Sequence, residues 1–181
     1  SHYLNVHKEL PLWVLIKRLS LGETSYFYTA LTDDLQLKVL NDIYTEYQQE
    51  YGLNPRKSAV INDTSSFSQM VKFVVTFRNL CAHGERMYDY IAKYKGRIPS
   101  IQFFFLDPSP RFNSKVVDVV RVLGLFLMKS DYKALLKELS IEIKSLSDEL
   151  PQSTMNAVLI KAGFSKNWKS DLMLPRRQLI D

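Results

Sequence analysis

In the stretch FRNLCAHGER, residues 77–86, three side chains suited to chemistry stand close together: Arg78, Asn79 and His83. A guanidinium is planar, always charged and carries a fork of donors, so it fits the oxygens of a phosphate or a carboxylate. Imidazole changes charge near neutrality and suits proton transfer to or from a reacting oxygen. Asn79 precedes His83 by one helical turn and shares its face, so its amide can orient the imidazole or hold an anion beside it. Lys72 and Arg86 flank the group and add positive charge. Each residue also has an ordinary reading. An arginine within an apolar stripe is more often ion-paired or snorkelling than chemical. A histidine near a helix end is more often a partner for the C-terminal dipole. His2 and His7 carry less weight still.

The element that must position these residues is a helix. Projected at about 100° per residue, Phe67, Met70, Val71, Val74, Phe77 and Cys81 fall in one apolar sector. Lys72, Thr76, Asn79 and His83 fall in a polar stripe opposite, and Arg78 falls inside the apolar sector. An unpaired buried guanidinium costs on the order of several kcal/mol. The projection therefore predicts that Arg78 reaches a carboxylate, a surface edge or a subunit interface. Cys81 reads as a small core residue. Ser66 and Gln69 form an S-x-x-Q capping box. From it the helix is predicted to run to about Ala82 and to resume after Gly84 through Tyr94.

The rest of the chain reads as helical too. LPLWVLIKRLS (10–20) is predicted as a short buried helix, with Pro11 in a first turn that needs no N–H. TSYFYTAL (24–31) is a second, after a break at Gly22, and its Tyr26, Phe27 and Tyr28 read as core. TDDLQLKVLNDIYTEY (32–47) repeats apolar residues at Leu35, Val39, Ile43 and Tyr47, with Thr32 or Asp33 as N-cap. YGLNPRKSAVINDTS (51–65) is a loop by its Gly, Asn and Pro. Residues 95–113 contain three prolines and cannot be a regular helix; IQFFFL within them is a short strand or an apolar loop. Helices are predicted again over 114–129, 132–148 and 153–162. AGFSKNW then gives a glycine stop followed by an aromatic anchor. The expected architecture is an all-α bundle, one domain over residues 1–173, with an irregular insertion near 95–113 and a tail over 174–181.

Composition narrows the classes. The chain has 181 residues, 46% of them apolar, enough for a proper core. Its six glycines and seven prolines argue against a turn-rich β fold. The net charge of +5 is compatible with a nucleic-acid partner without demanding one. A single cysteine, Cys81, excludes a disulfide framework and a cysteine-based zinc site within this chain and suits a reducing cytosol. No stretch reaches the roughly 18 apolar residues of a membrane span. No pattern resembles a phosphate-binding glycine loop or an acidic metal cluster. The first residues, SHYLNVHKELPLW, lack the pattern of a secretion signal. Their abrupt start without Met is that of a processed or truncated chain.

Taken together, R-N-L-C-A-H (78–83) is an R-x-x-x-x-H motif with Asn directly after the Arg, and it resembles the signature of the HEPN superfamily of all-α domains. VVTFRNLCAHGER (74–86), with ELPLWVLIKRLSLGETSYFYTAL (9–31) and LIKAGFSKNW (159–168), resembles the bacterial Abi family of abortive-infection proteins. Members of that family usually carry a further N-terminal region. Some HEPN proteins have a tyrosine two residues after the histidine, which a partner transferase modifies; Glu85 stands there instead.

The resemblance implies a metal-independent endoribonuclease with no cofactor. It would act in a bacterial cytoplasm within an abortive-infection or toxin–antitoxin defence. Two R-x-x-x-x-H segments would meet across a homodimer, with Arg78, Asn79 and His83 catalytic and Lys72 and Arg86 tracking the RNA. An RNA or protein antitoxin would restrain it. The alternatives are a non-catalytic RNA- or protein-binding domain, or a structural helical module of a defence complex in which Arg78 is an interface ion pair.

Overall fold

A computed structural model of the chain describes residues 11–52, 64–93 and 112–173. It contains the helices α1 (Leu12–Ile16), α2 (Leu21–Thr29), α3 (Asp33–Tyr51), α4 (Thr64–Ala82), α5 (Val116–Phe126), α6 (Lys129–Glu149), α7 (Gln152–Ala162) and α8 (Trp168–Leu172). Among the described residues there is no strand, so the expected all-α class holds. No described helix is long and apolar enough to cross a membrane. IQFFFL, residues 95–111 of the insertion expected near 95–113, and the tail over 174–181 lie outside the described residues.

α1 is shorter and more exposed than expected. Leu12 and Trp13 are each more than half exposed, so this is not a buried helix. The break expected at Gly22 falls earlier, over Lys17–Ser20, and Gly22 lies inside α2. The cause is a capping box that the sequence spells as S-L-G-E. Ser20 Oγ accepts from the Glu23 amide at 3.3 Å, and Glu23 Oε2 accepts from the Ser20 amide at 2.7 Å. These bonds hold the Glu23 carboxyl below its ordinary pKa, the backbone bond contributing most. Gly22 lies in the first turn of α2 beside α4, where an added Cβ would sit 3.8 Å from Val75, an ordinary contact. Of the Tyr26–Tyr28 run, Tyr28 is buried, Phe27 half-buried and Tyr26 exposed.

α3 starts after Thr32, with Asp33 and Asp34 in the first turn where the helix dipole favours negative charge. It stops at Gly52, whose φ of +64° is left-handed. Its buried face is Leu40, Tyr44, Tyr47 and Tyr51. The expected line from Leu35 runs along the edge of that face: Leu35 is exposed and Val39 and Ile43 are half-buried. α4 starts two residues before Ser66, so Ser66 is not its cap.

Two apolar clusters fill the bundle. The first joins α2, α3, α4 and part of α5, around Tyr28, Leu40, Tyr44, Phe67, Phe73 and Phe77. Edge-to-face rings knit it, with Phe73 4.9 Å from Phe77 and Tyr28 5.0 Å from Phe67. The second joins the rest of α5 to α6, α7 and α8, around Val117, Val120, Tyr132, Phe164 and Trp168. The glycine stop and aromatic anchor expected near 163–168 are present: Gly163 has φ +90°, and Phe164 and Trp168 are buried. α5 thus serves both clusters, Val122 and Leu125 facing one and Val117 and Val120 the other.

Candidate functional site

The site helix, α4, is held by α2, α3 and α5. Phe67, Met70, Phe73, Phe77 and Leu80 are its buried residues in the cluster. That face is rotated by roughly 50° from the sector expected above, at 100° per residue. Phe73 and Leu80, absent from the expected sector, are buried on one side of it, while Val71 and Val74 are only half-buried. The rotation decides where the chemistry goes. Arg78, expected on the apolar side, is exposed; Cys81 stays within the angular span of the buried face but is the penultimate residue of α4 and is exposed too, so it is not a core residue. Cys81 Sγ instead lies 3.3 Å from Met87 Sδ.

The end of α4 is set by Gly84. The Gly84 amide donates to the Cys81 carbonyl at 3.1 Å and the Glu85 amide to the Leu80 carbonyl at 2.9 Å. Together with a left-handed Gly84 at φ +64°, these bonds form a Schellman stop. His83 is the last residue before that turn and is exposed, its amide donating to the Asn79 carbonyl at 3.0 Å. The helix expected to resume after Gly84 does not form. Residues 85–93 run without regular structure, held by side chains on both clusters. Met87 and Tyr90 pack on the first cluster, Tyr90 edge-on to Phe77 at 5.5 Å, and Tyr88 packs on the second.

All five residues singled out from the sequence (Lys72, Arg78, Asn79, His83 and Arg86) are exposed. Arg78 Nη1 donates to Asn79 Oδ1 at 3.2 Å, and neither Arg78 nor Lys72 forms an ion pair among the described residues. Asn79 therefore orients the guanidinium; no hydrogen bond joins its amide to the His83 ring among the described residues. Lys72, Asn79 and His83 share one stripe, with Arg78 about a quarter turn or more to its side. Arg86 differs from the rest. Its Nε lies 3.0 Å from Asp89 Oδ1, and its guanidinium carbon is 5.6 Å from the centre of the Tyr88 ring.

The buried, ion-paired arginine considered for position 78 occurs at Arg121 on α5. It donates to Asp118 Oδ1, while Asp118 Oδ2 accepts from the amides of Asn113 at 2.8 Å and Lys115 at 3.2 Å. Asp118 is fully buried and Arg121 is 8% exposed. The sequence signal was D-x-x-R, with acid and base one helical turn apart. Among the described residues no group of three or more His, Cys, Asp or Glu could hold a metal ion. A groove of about 480 Å³, lined among others by Ile43, Glu46, Tyr47, Glu50, Phe126 and Met128, contains none of the five residues.

Residues 1–89, which include Arg78, Asn79 and His83, match the family model described as Abi-like protein. The match supports the Abi family over the part of the chain that builds α1 to α4 and the site. No curated protein and no solved structure matches the chain.

Proposed function

We propose that the chain is an endoribonuclease of an abortive-infection defence, with its active site formed where two copies bring their α4 ends together. The observation that supports this most is the state of Arg78. Its charge is exposed, unspent on any carboxylate among the described residues, and held by Asn79 one turn before His83. A structural arginine would be paired, as Arg121 is.

RNA carries its own nucleophile, so the protein must supply a base, an acid and positive charge. In the proposed reaction one His83 removes the 2′-OH proton and the 2′ oxygen attacks the adjacent phosphorus. The P–O5′ bond then breaks, and the other copy's imidazolium delivers a proton to the leaving 5′ oxygen. Arg78 holds the phosphate oxygens as charge builds on them, and Asn79 fixes the guanidinium. Lys72 extends the charge along the backbone. The products are a 2′,3′-cyclic phosphate and a 5′-OH, and no step requires a metal. Such an activity in a cytoplasm needs restraint, which an RNA or protein antitoxin would provide.

One observation favours a second reading, an RNA-binding domain without catalysis. Within a single chain Arg78 and His83 point to different sides of α4, so one copy does not assemble the site. A cleavage assay in EDTA separates the two. Wild type should cut mixed cellular RNA to 5′-OH ends, and Arg78→Ala and His83→Ala should each abolish cutting. Cleavage by His83→Ala equal to wild type would sink the nuclease reading. RNA binding without cleavage by any form would favour the binding domain.

A further inference from the structure

Arg86 was grouped with Lys72 as a backbone-tracking residue, but its surroundings are of a different kind. The guanidinium already has a carboxylate, Asp89 Oδ1 at 3.0 Å, and Glu85 precedes it in the chain. Glu85, Arg86 and Asp89 together carry a formal charge of about −1, which gives a phosphate strand little reason to follow this segment. Lys72 and Arg78 have no such neighbours in ion-pair contact among the described residues.

What the segment does offer is flat surface. The Arg86 guanidinium lies against the Tyr88 ring at 5.6 Å, and its side chain is 70% exposed. Tyr88 packs on the second apolar cluster, and its neighbours Met87 and Tyr90 pack on the first. The ring under Arg86 is therefore anchored from beneath, with the turn from Met87 to Tyr90 closed by a 3.1 Å backbone bond. Arg86 follows His83 by three residues, at most about 11 Å of chain. Guanidinium planes and tyrosine rings are the groups on which single-stranded bases stack.

We infer that Arg86, pinned by Asp89 and backed by Tyr88, is the position on which a nucleobase of the RNA stacks, within a few residues of His83. This rests on the RNA-cleaving reading above. It assigns the protein two halves of a binding site: Lys72 and Arg78 read charge, and Arg86 with Tyr88 reads the base. Arg86 is then a specificity-determining residue, and cleavage depends on what base stands next to the cut.

The test uses the full chain carrying His83→Ala, so that RNA is bound and not cut. The probes are a short single-stranded RNA with one 2-aminopurine and the same RNA with an abasic ribose at that position. Stacking should quench the 2-aminopurine, and the abasic RNA should bind about tenfold more weakly, the scale expected for one stacked base. Arg86→Lys keeps the charge and loses the plane. It should abolish the quench and bring both RNAs to the same affinity, with the salt dependence unchanged. Lys72→Ala should do the reverse: lower the slope of log affinity against log salt by about 0.7 and leave the ratio between the two RNAs intact. Thermal melting of the exposed-site variants checks that each is folded.

Arg86→Lys indistinguishable from its parent, or an Arg86→Ala that shifts the salt slope as Lys72→Ala does and leaves the ratio alone, overturns the inference. If wild type cleaves RNA while binding both RNAs equally, only the stacking position fails. If no form binds either RNA, it fails together with the reading it rests on.

Discussion

Arg78 and Arg121 each sit on a helix that fills the first apolar cluster, yet they end in opposite environments. Arg121 is buried against a fully buried Asp118, which also accepts two backbone amides at the start of α5. Arg78 is exposed, and among the described residues its side chain donates to a neighbouring amide oxygen and to no carboxylate. The difference lies one helical turn away in sequence. Arg121 has an aspartate at i−3, whereas Arg78 has Val74 and Val75 before it and Cys81 and Ala82 after it. A helix supplies a buried guanidinium with a partner from its own face or turns the guanidinium outward. Arg121 belongs to the fold, whereas Arg78 has no countercharge among the described residues.

The comparison is broken most directly at the buried pair. Asp118→Ala leaves Arg121 buried without a countercharge and two amides without an acceptor, and should cost about 3–5 kcal/mol of stability. Arg78→Ala should stay within about 0.5 kcal/mol while removing activity. Urea unfolding of both variants checks this, and equal losses would mean the two arginines are not different in kind.

A glycine pair sharpens the same contrast. Gly84 and Gly163 close α4 and α7 with the same two bonds, from Glu85 to Leu80 and from Phe164 to Leu159, each with the glycine amide reaching back three residues. An added Cβ at Gly84 meets nothing, whereas at Gly163 it would lie 2.8 Å from Val117 Cγ1. Gly163→Ala should therefore cost about 2–4 kcal/mol from strain and clash together, and Gly84→Ala only about 1–2 kcal/mol from the left-handed backbone. Gly84→Ala should nonetheless lose RNA cleavage, because it moves His83. Thermal unfolding alongside the cleavage assay separates the two effects.

The smallest effect is expected at α2. Ser20→Ala removes a cap and should cost about 1 kcal/mol, without changing cleavage. The Glu23 half of that capping box has a pH signature. Its folded pKa is lowered below 4.5, so its contribution is complete above the unfolded value. It is lost as the pH falls through the folded one. Melting curves of wild type and Glu23→Gln should converge on acidification.

The class and most helices were legible because apolar periodicity is a strong local signal. The stop at Gly163 with its aromatic anchor was legible for the same reason, being spelled within a few residues. What failed were readings that depend on neighbours. The projection of α4 left out Phe73 and Leu80, and their omission turned the apparent face toward Arg78; Cys81 is exposed because α4 ends one residue later. Ser66–Gln69 has the letters of a capping box, yet α4 begins two residues earlier; the real box, Ser20–Glu23, was read as a break at Gly22. The candidate residues Arg78, Asn79 and His83 could be grouped from the sequence because they lie within one segment. The Arg86–Asp89–Tyr88 arrangement was not legible, because it forms only where the chain leaves the helix and folds back between the two clusters.

That fold-back, with α5 standing between the clusters, has a consequence for the chain as a unit. The matched segment ends at residue 89, but its apolar face is completed by Val122 and Leu125 of α5, whose other side rests on α6 to α8. The two halves share a wall. A fragment ending at residue 89 would keep Arg78, Asn79 and His83 and lose Val122 and Leu125, which share a cluster with Phe73 and Phe77. The amides of α4 and of α5 should therefore open together, and hydrogen exchange should give the slowest of both helices a common protection free energy.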